Sequence, residues 1–150
     1  MSLPALRSFA SEAECKQYFV DNYCNAEIST HDGIKVSFHE DMFEHAFYVR
    51  AQKKWKSAKD HFSTDRGERI DWIKYVLNDN TIIPRQGYDK AKKRFDNSRR
   101  VTFLTLNNYA VIIQLTGIRE ARFVTAFIVD SQDVANKINA NPVWNSSGWL

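Results

Sequence analysis

Cysteine, glycine and proline are scarce in this chain, and it has no long apolar run. The two cysteines, Cys15 and Cys24, both lie near the N-terminus, which excludes a disulfide framework and a four-cysteine zinc site. Five glycines and three prolines in 150 residues exclude a collagen-like, linker-like or disordered chain. No apolar stretch approaches the roughly 20 residues needed to cross a bilayer. The opening Met1-Ser2-Leu3-Pro4 lacks the basic and apolar regions of a signal peptide. The expectation is a soluble, cytoplasmic protein with no membrane partner. Also missing are a glycine-rich phosphate loop, a dinucleotide fingerprint and a Gly-x-Ser-x-Gly elbow. The histidines His31, His39, His45 and His61 show no ligand spacing, so neither a metal nor a cofactor is expected.

What is present is an ordinary globular composition, 43% hydrophobic and 26% charged, at a length suited to one domain. The charge is unevenly spread. Residues 1–49 hold three basic and eight acidic side chains, residues 50–100 hold fifteen and seven, and residues 101–150 balance at three each. A net of +8 in the middle third points to a surface that meets an anion, for which nucleic acid is the commonest polyanionic candidate.

Periodicity changes along the chain. Ser11-Glu12-Ala13-Glu14 reads as a capping box that opens a helix to about Cys24, with Cys15, Phe19 and Tyr23 on one stripe. Ile34, Val36 and Phe38 alternate as a short strand after the Asp32-Gly33 turn. A second helix is expected from about Asp41 to Lys54, with His45 on the edge of its apolar face. A third, capped by Ser63 or Thr64, carries the stripe Ile70, Ile73, Val76 and Leu77 and stops at Asn78-Asp79-Asn80. From Thr81 the period becomes two. Strands are expected at Thr81–Arg85, Val101–Leu106, Tyr109–Leu115 and Arg122–Asp130, with a basic loop over residues 89–100 and a hairpin turn at Asn107-Asn108. Ser131–Ala140 reads as a last helix, followed by a tail with Trp144 and Trp149. Helices first and an antiparallel sheet after them make an α+β fold.

Three kinds of side chain carry candidate chemistry. Arg66 and Arg69 share a helix face beside its N-terminus, where planar donors and the helix dipole favour an oxyanion. His45 is the candidate acid or base, since histidine as a residue type titrates near neutrality, as a proton shuttle must. Thr125 places a hydroxyl in an apolar strand. The segments around Arg50, Lys53, Lys54 and Trp55, and around Lys92, Lys93, Arg94 and Arg99, interleave cations with aromatics in the manner of an RNA-tracking surface.

The run Phe62-Ser63-Thr64-Asp65-Arg66-Gly67-Glu68-Arg69-Ile70-Asp71-Trp72-Ile73 resembles the "FSxxRAERIxWI" segment of a phage-associated family. That family belongs to the barnase–EndoU–colicin–RelE-like (BECR) nuclease superfamily. His45-Ala46-Phe47, Tyr109–Ile113 and Thr125–Asp130 follow the family's order, and the resemblance spans residues 35–130, leaving an N-terminal helical extension (1–34) and a C-terminal helix and tail (131–150). It implies N-terminal helices followed by a four-stranded antiparallel sheet, as in barnase, and metal-independent cleavage of single-stranded RNA or tRNA by a phage-encoded effector or toxin. His45 would be the acid or base, Arg66 and Arg69 the phosphate-binding cations, and Thr125 a hydroxyl contact. A protein inhibitor or phage partner would accompany such an enzyme. The other reading of the same face is a non-catalytic module that binds nucleic acid or a phage partner. Gly67 departs from the family's alanine.

Overall fold

A computed structural model describes residues 3–50, 59–89 and 94–144, with the backbone alone for Arg50, Lys59, Asp60, Tyr88, Asp89 and residues 94–99. Helix α1 (Glu12–Phe19) starts at the capping box, where Ser11 Oγ accepts from Glu14 N at 3.2 Å, and continues as a π-helical turn over Val20–Cys24. Strands β1 (Ile28–Ser29) and β2 (Lys35–Ser37) form a hairpin around Gly33, whose φ of 90° needs glycine. Helix α2 (Met42–Phe47) leads into a small sheet of β3 (Tyr48–Arg50) and β4 (Lys59–Phe62). Helices α3 (Thr64–Glu68) and α4 (Ile70–Asn78) follow, then β5 (Arg85–Asp89), β6 (Arg94–Leu104), β7 (Tyr109–Gly117), β8 (Glu120–Ile128) and helix α5 (Gln132–Asn139).

The fold is α+β, and its main sheet is larger than expected. Six strands lie in the order β1-β2-β8-β7-β6-β5, and β2 joins β8 in parallel. This corrects the expectation of a four-stranded antiparallel sheet. Strands β5 to β8 are antiparallel neighbours, and the N-terminal hairpin extends them because Ile28, Ile34 and Val36 bury their side chains in the same core.

Three local expectations also change. Helix α2 stops at Phe47 and does not reach Lys54, because Tyr48 and Val49 favour extended backbone and pair with Phe62 and His61. The strand expected at Thr81–Arg85 begins only at Arg85, after a turn in which Asp79 Oδ1 accepts from Thr81 N at 2.9 Å. Part of the expected basic loop is strand, since β6 starts at Arg94. The β6–β7 hairpin does turn at Asn107-Asn108, with Asn108 at φ 63°, and Thr105 Oγ1 accepts from Tyr109 N at 3.0 Å.

The main core lies on one face of the sheet under α1, α2 and α4. All four stripe positions of α4 (Ile70, Ile73, Val76, Leu77) are fully buried. Phe19 is the hub, with the rings of Tyr23, Phe38, Phe43, Phe47 and Phe123 within 6.3 Å. On the opposite face, α5 covers a smaller cluster of Leu104, Ala110, Val129 and Ala135, against which Phe127 and Ile138 pack. After α5 the chain runs along the edge of β5, where Gln86 N donates to Pro142 O at 2.8 Å and Trp144 N to Pro84 O at 2.9 Å. Trp144 is thereby buried in the main core; Trp149 lies outside the described residues.

Candidate functional site

Strand β2 is short, and that sets the geometry here. It pairs with β8 only over Glu120–Arg122, so α2 packs alongside the rest of β8. Ser63 caps α3, accepting from Arg66 N at 3.2 Å, and Ser63 N is tied to Phe47 O at 2.7 Å. These two bonds bring the start of α3 to the end of α2. Arg66 then reaches across the junction: its Nη1 donates to Ala46 O at 3.0 Å, and its guanidinium lies 5.5 Å from the centre of the Phe127 ring on β8. No carboxylate pairs with it among the described residues. Burial lowers its pKa, with the nearby Tyr109 acting in the opposite sense. The result is a half-buried cation held by a carbonyl and a ring, with no counter-ion among the described residues.

His45 precedes Ala46, whose carbonyl accepts that bond, so its backbone adjoins Arg66. Its side chain is exposed, which corrects the expectation that it sits against the apolar face. At about 100° per residue, His45 lies some 200° round the helix from Phe43. Phe43, Ala46 and Phe47 take the buried side.

The helix expected to be continuous breaks at Arg69 (φ −99°, ψ 15°), where α3 gives way to α4. Arg69 Nη1 donates to Asp65 O at 2.7 Å, and its guanidinium lies 5.1 Å from the Trp72 ring. Its buried Nε has no acceptor among the described residues. Tyr109 lies near both arginines, but burial raises its phenol pKa, so it stays protonated and is a poor base.

Thr125 stands opposite Ile112 on β7, and a bulge at Val124 separates this pair from Ile113–Phe123. The bulge puts Phe123 in the main core and Thr125 on the other face with Phe127, so Phe123 and Thr125 do not share a face as simple alternation expects. Thr125 is 9% exposed, and its Oγ1 has no hydrogen-bond partner among the described residues.

Of the expected RNA-binding residues, Lys53, Lys54, Trp55, Lys92 and Lys93 lie outside the described residues. Arg50 falls on β3, and Arg94 and Arg99 fall on β6 rather than in a loop, each described in its backbone alone. A cavity of about 510 Å³ opens elsewhere, between Ile82, Ile83 and Arg85 and the β6–β7 turn. Among the described residues no group of three His, Cys, Asp or Glu could hold a metal ion, and no helix is long and apolar enough to cross a membrane. Sequence reasoning missed Phe127, whose contact with Arg66 depends on α2 lying beside β8. Comparison with protein-family models, curated proteins and solved structures finds no match to this chain.

Proposed function

We propose that the chain is a metal-independent endoribonuclease acting on single-stranded RNA or tRNA, a phage-type effector or toxin working in the cytoplasm. The observation that carries this reading is Arg66, a half-buried cation without a carboxylate partner among the described residues, bonded to the helix turn that presents His45 to solvent. A desolvated guanidinium lacking a counter-ion gains most from an anionic ligand. In the proposed reaction the RNA 2′-oxygen attacks the adjacent phosphorus and the bond to the 5′-oxygen breaks. The 2′-proton passes to a base, and an acid returns a proton to the leaving oxygen. His45 serves one of these transfers, Arg66 stabilises the charged phosphorane, and Arg69 and Thr125 act at its margin. The same features on a module that binds nucleic acid without turnover are the second reading. It is favoured by the burial of Tyr109, which makes its phenol a poorer base.

The test is incubation of wild type, His45→Ala and Arg66→Ala with total tRNA and a fluorescent single-stranded RNA in excess EDTA. Wild type is expected to leave 2′,3′-cyclic phosphate ends, with His45→Ala slower by about 10²–10⁴-fold and Arg66→Ala by about 10²–10³-fold. Equal cleavage by wild type and His45→Ala overturns the assignment of the histidine. Salt-sensitive binding without cleavage by any form selects the second reading.

A further inference from the structure

The face of the main sheet away from α1, α2 and α4 is not apolar beyond α5. Val36, Val101, Phe103, Val111, Ile113, Ala121 and Phe123 point into the main core, so their neighbours point the other way. Register then aligns Ser37, Arg122, Gln114 and Arg100 in one row across β2, β8, β7 and β6. Ser37, Arg122 and Arg100 are exposed and Gln114 is half-buried. Neither arginine pairs with a carboxylate among the described residues. Two strand spacings separate them, about 10 Å between backbones.

The next row toward α5 is Thr125, Ile112, Thr102 and Arg85. Its two ends hold two buried polar atoms that lack partners among the described residues, Thr125 Oγ1 and Arg85 Nε, although Arg85 Nη1 donates to Asn141 O. Among the described side chains, the one carboxylate in the strand registers of this face is Glu120, opposite Lys35. Two exposed arginines and a buried hydroxyl without partners among the described residues favour an oxyanion. With Ile112 as the main apolar contribution, the face suits a phosphate backbone better than an apolar peptide.

We infer that this open sheet face, centred on the Arg100–Gln114–Arg122 row, is the binding track for a single-stranded RNA backbone. The inference rests on the proposed ribonuclease reading, and it assigns substrate-binding roles to three residues outside the candidate catalytic set.

The experiment is fluorescence anisotropy of a labelled single-stranded RNA across a salt series, with wild type, Arg100→Glu/Arg122→Glu and the charge-matched control Lys16→Glu/Lys74→Glu, whose sites lie on α1 and α4. Arg100, Arg122 and Lys74 are exposed and Lys16 is half-buried, and circular dichroism checks that each variant folds. The sheet-face variant is expected to lose about tenfold or more in affinity, and its salt slope should flatten by about 1.4 if two phosphate contacts are lost. The control should bind within about twofold of wild type. Wild-type binding that survives charge reversal on the sheet overturns the inference while leaving the ribonuclease reading in place. Displacement of RNA by poly-glutamate at equal charge concentration overturns it in favour of an acidic protein partner. Failure of wild type to bind or cleave RNA overturns both.

Discussion

Replacing Gly67 with alanine separates what helix propensity expects from what packing allows. Gly67 lies inside α3, where an alanine would be favoured by up to about 1 kcal/mol. The resembling family carries alanine there, so propensity expects Gly67→Ala to stabilise. In the folded chain, however, a Cβ at this position would stand 2.9 Å from Phe62 Cζ and 3.3 Å from Cys15 Sγ. The Phe62 ring has little room to move, being stacked on Phe43 at 6.1 Å and set edge-on to Tyr48 at 6.4 Å, while Cys15 is fully buried. Overpacking of this kind costs about 1–3 kcal/mol. Set against the propensity gain, the expected result is a net destabilisation of about 1 kcal/mol. Urea denaturation at constant m-value reads this directly. A double variant with Phe62→Leu, which removes the obstructing ring edge, should show a favourable coupling of about 1 kcal/mol. A Gly67→Ala chain as stable as wild type, or more stable, would refute the packing account of this glycine.

Two further stability predictions follow from buried aromatic groups. Burial, with Asp71 close by, pushes the Tyr18 phenol up to about 12, and burial also raises Tyr23 and Tyr109. Between pH 10 and 12 the folded chain therefore keeps protons that the unfolded chain has released, so stability is intact below pH 10 and falls as pH rises through that window. Urea midpoints at pH 8, 10 and 11 should decline, with the absorbance titration of these three phenols lagging; a flat midpoint to pH 11 counts against it. Trp144→Ala should cost about 3–5 kcal/mol, because the indole is buried in the main core although it lies near the chain end. A loss below about 1 kcal/mol in thermal or urea unfolding would place Trp144 outside the cooperative core.

The legible parts of the fold were those fixed by local chemistry. Ser11, Ser63 and Ser131 each accept from a backbone N–H three residues on, as N-cap spacing requires. The α4 stripe is buried at every position, since a 3.6-residue period leaves little choice of face. Strand partners were less legible. Tyr48 and Val49 continue the helical spacing of α2, yet they pair with β4 because two aromatic-rich segments meet there. Nothing in the alternation of Ile34, Val36 and Phe38 says that their strand would add to β8 in parallel, because that choice rests on contacts more than eighty residues away along the chain.

The candidate site shows the same division. Arg66 was found from its spacing to Ile70, and its partner Ala46 O follows His45 in sequence, a contact across elements that no spacing along the chain shows. The break at Arg69 was not legible, because a helical wheel assumes unbroken backbone; its side chain closes onto Asp65 O there. Thr125 was misplaced by one residue of phase: the extra Val124 in the strand turns everything before it to the other face. That same bulge puts Arg122 and Thr125, three apart in sequence, on a common face, which strict alternation forbids. The basic sheet row is therefore invisible to any two-residue count along β8. It emerges only when pairing with β7 is known, because Gln114 fixes the phase of Arg122 and Ile112 fixes that of Thr125. Deleting Val124 would remove the bulge and leave Arg122 and Thr125 two apart, so plain alternation would then keep both on the face of Gln114 and Ile112, and the register with β7 would be unchanged.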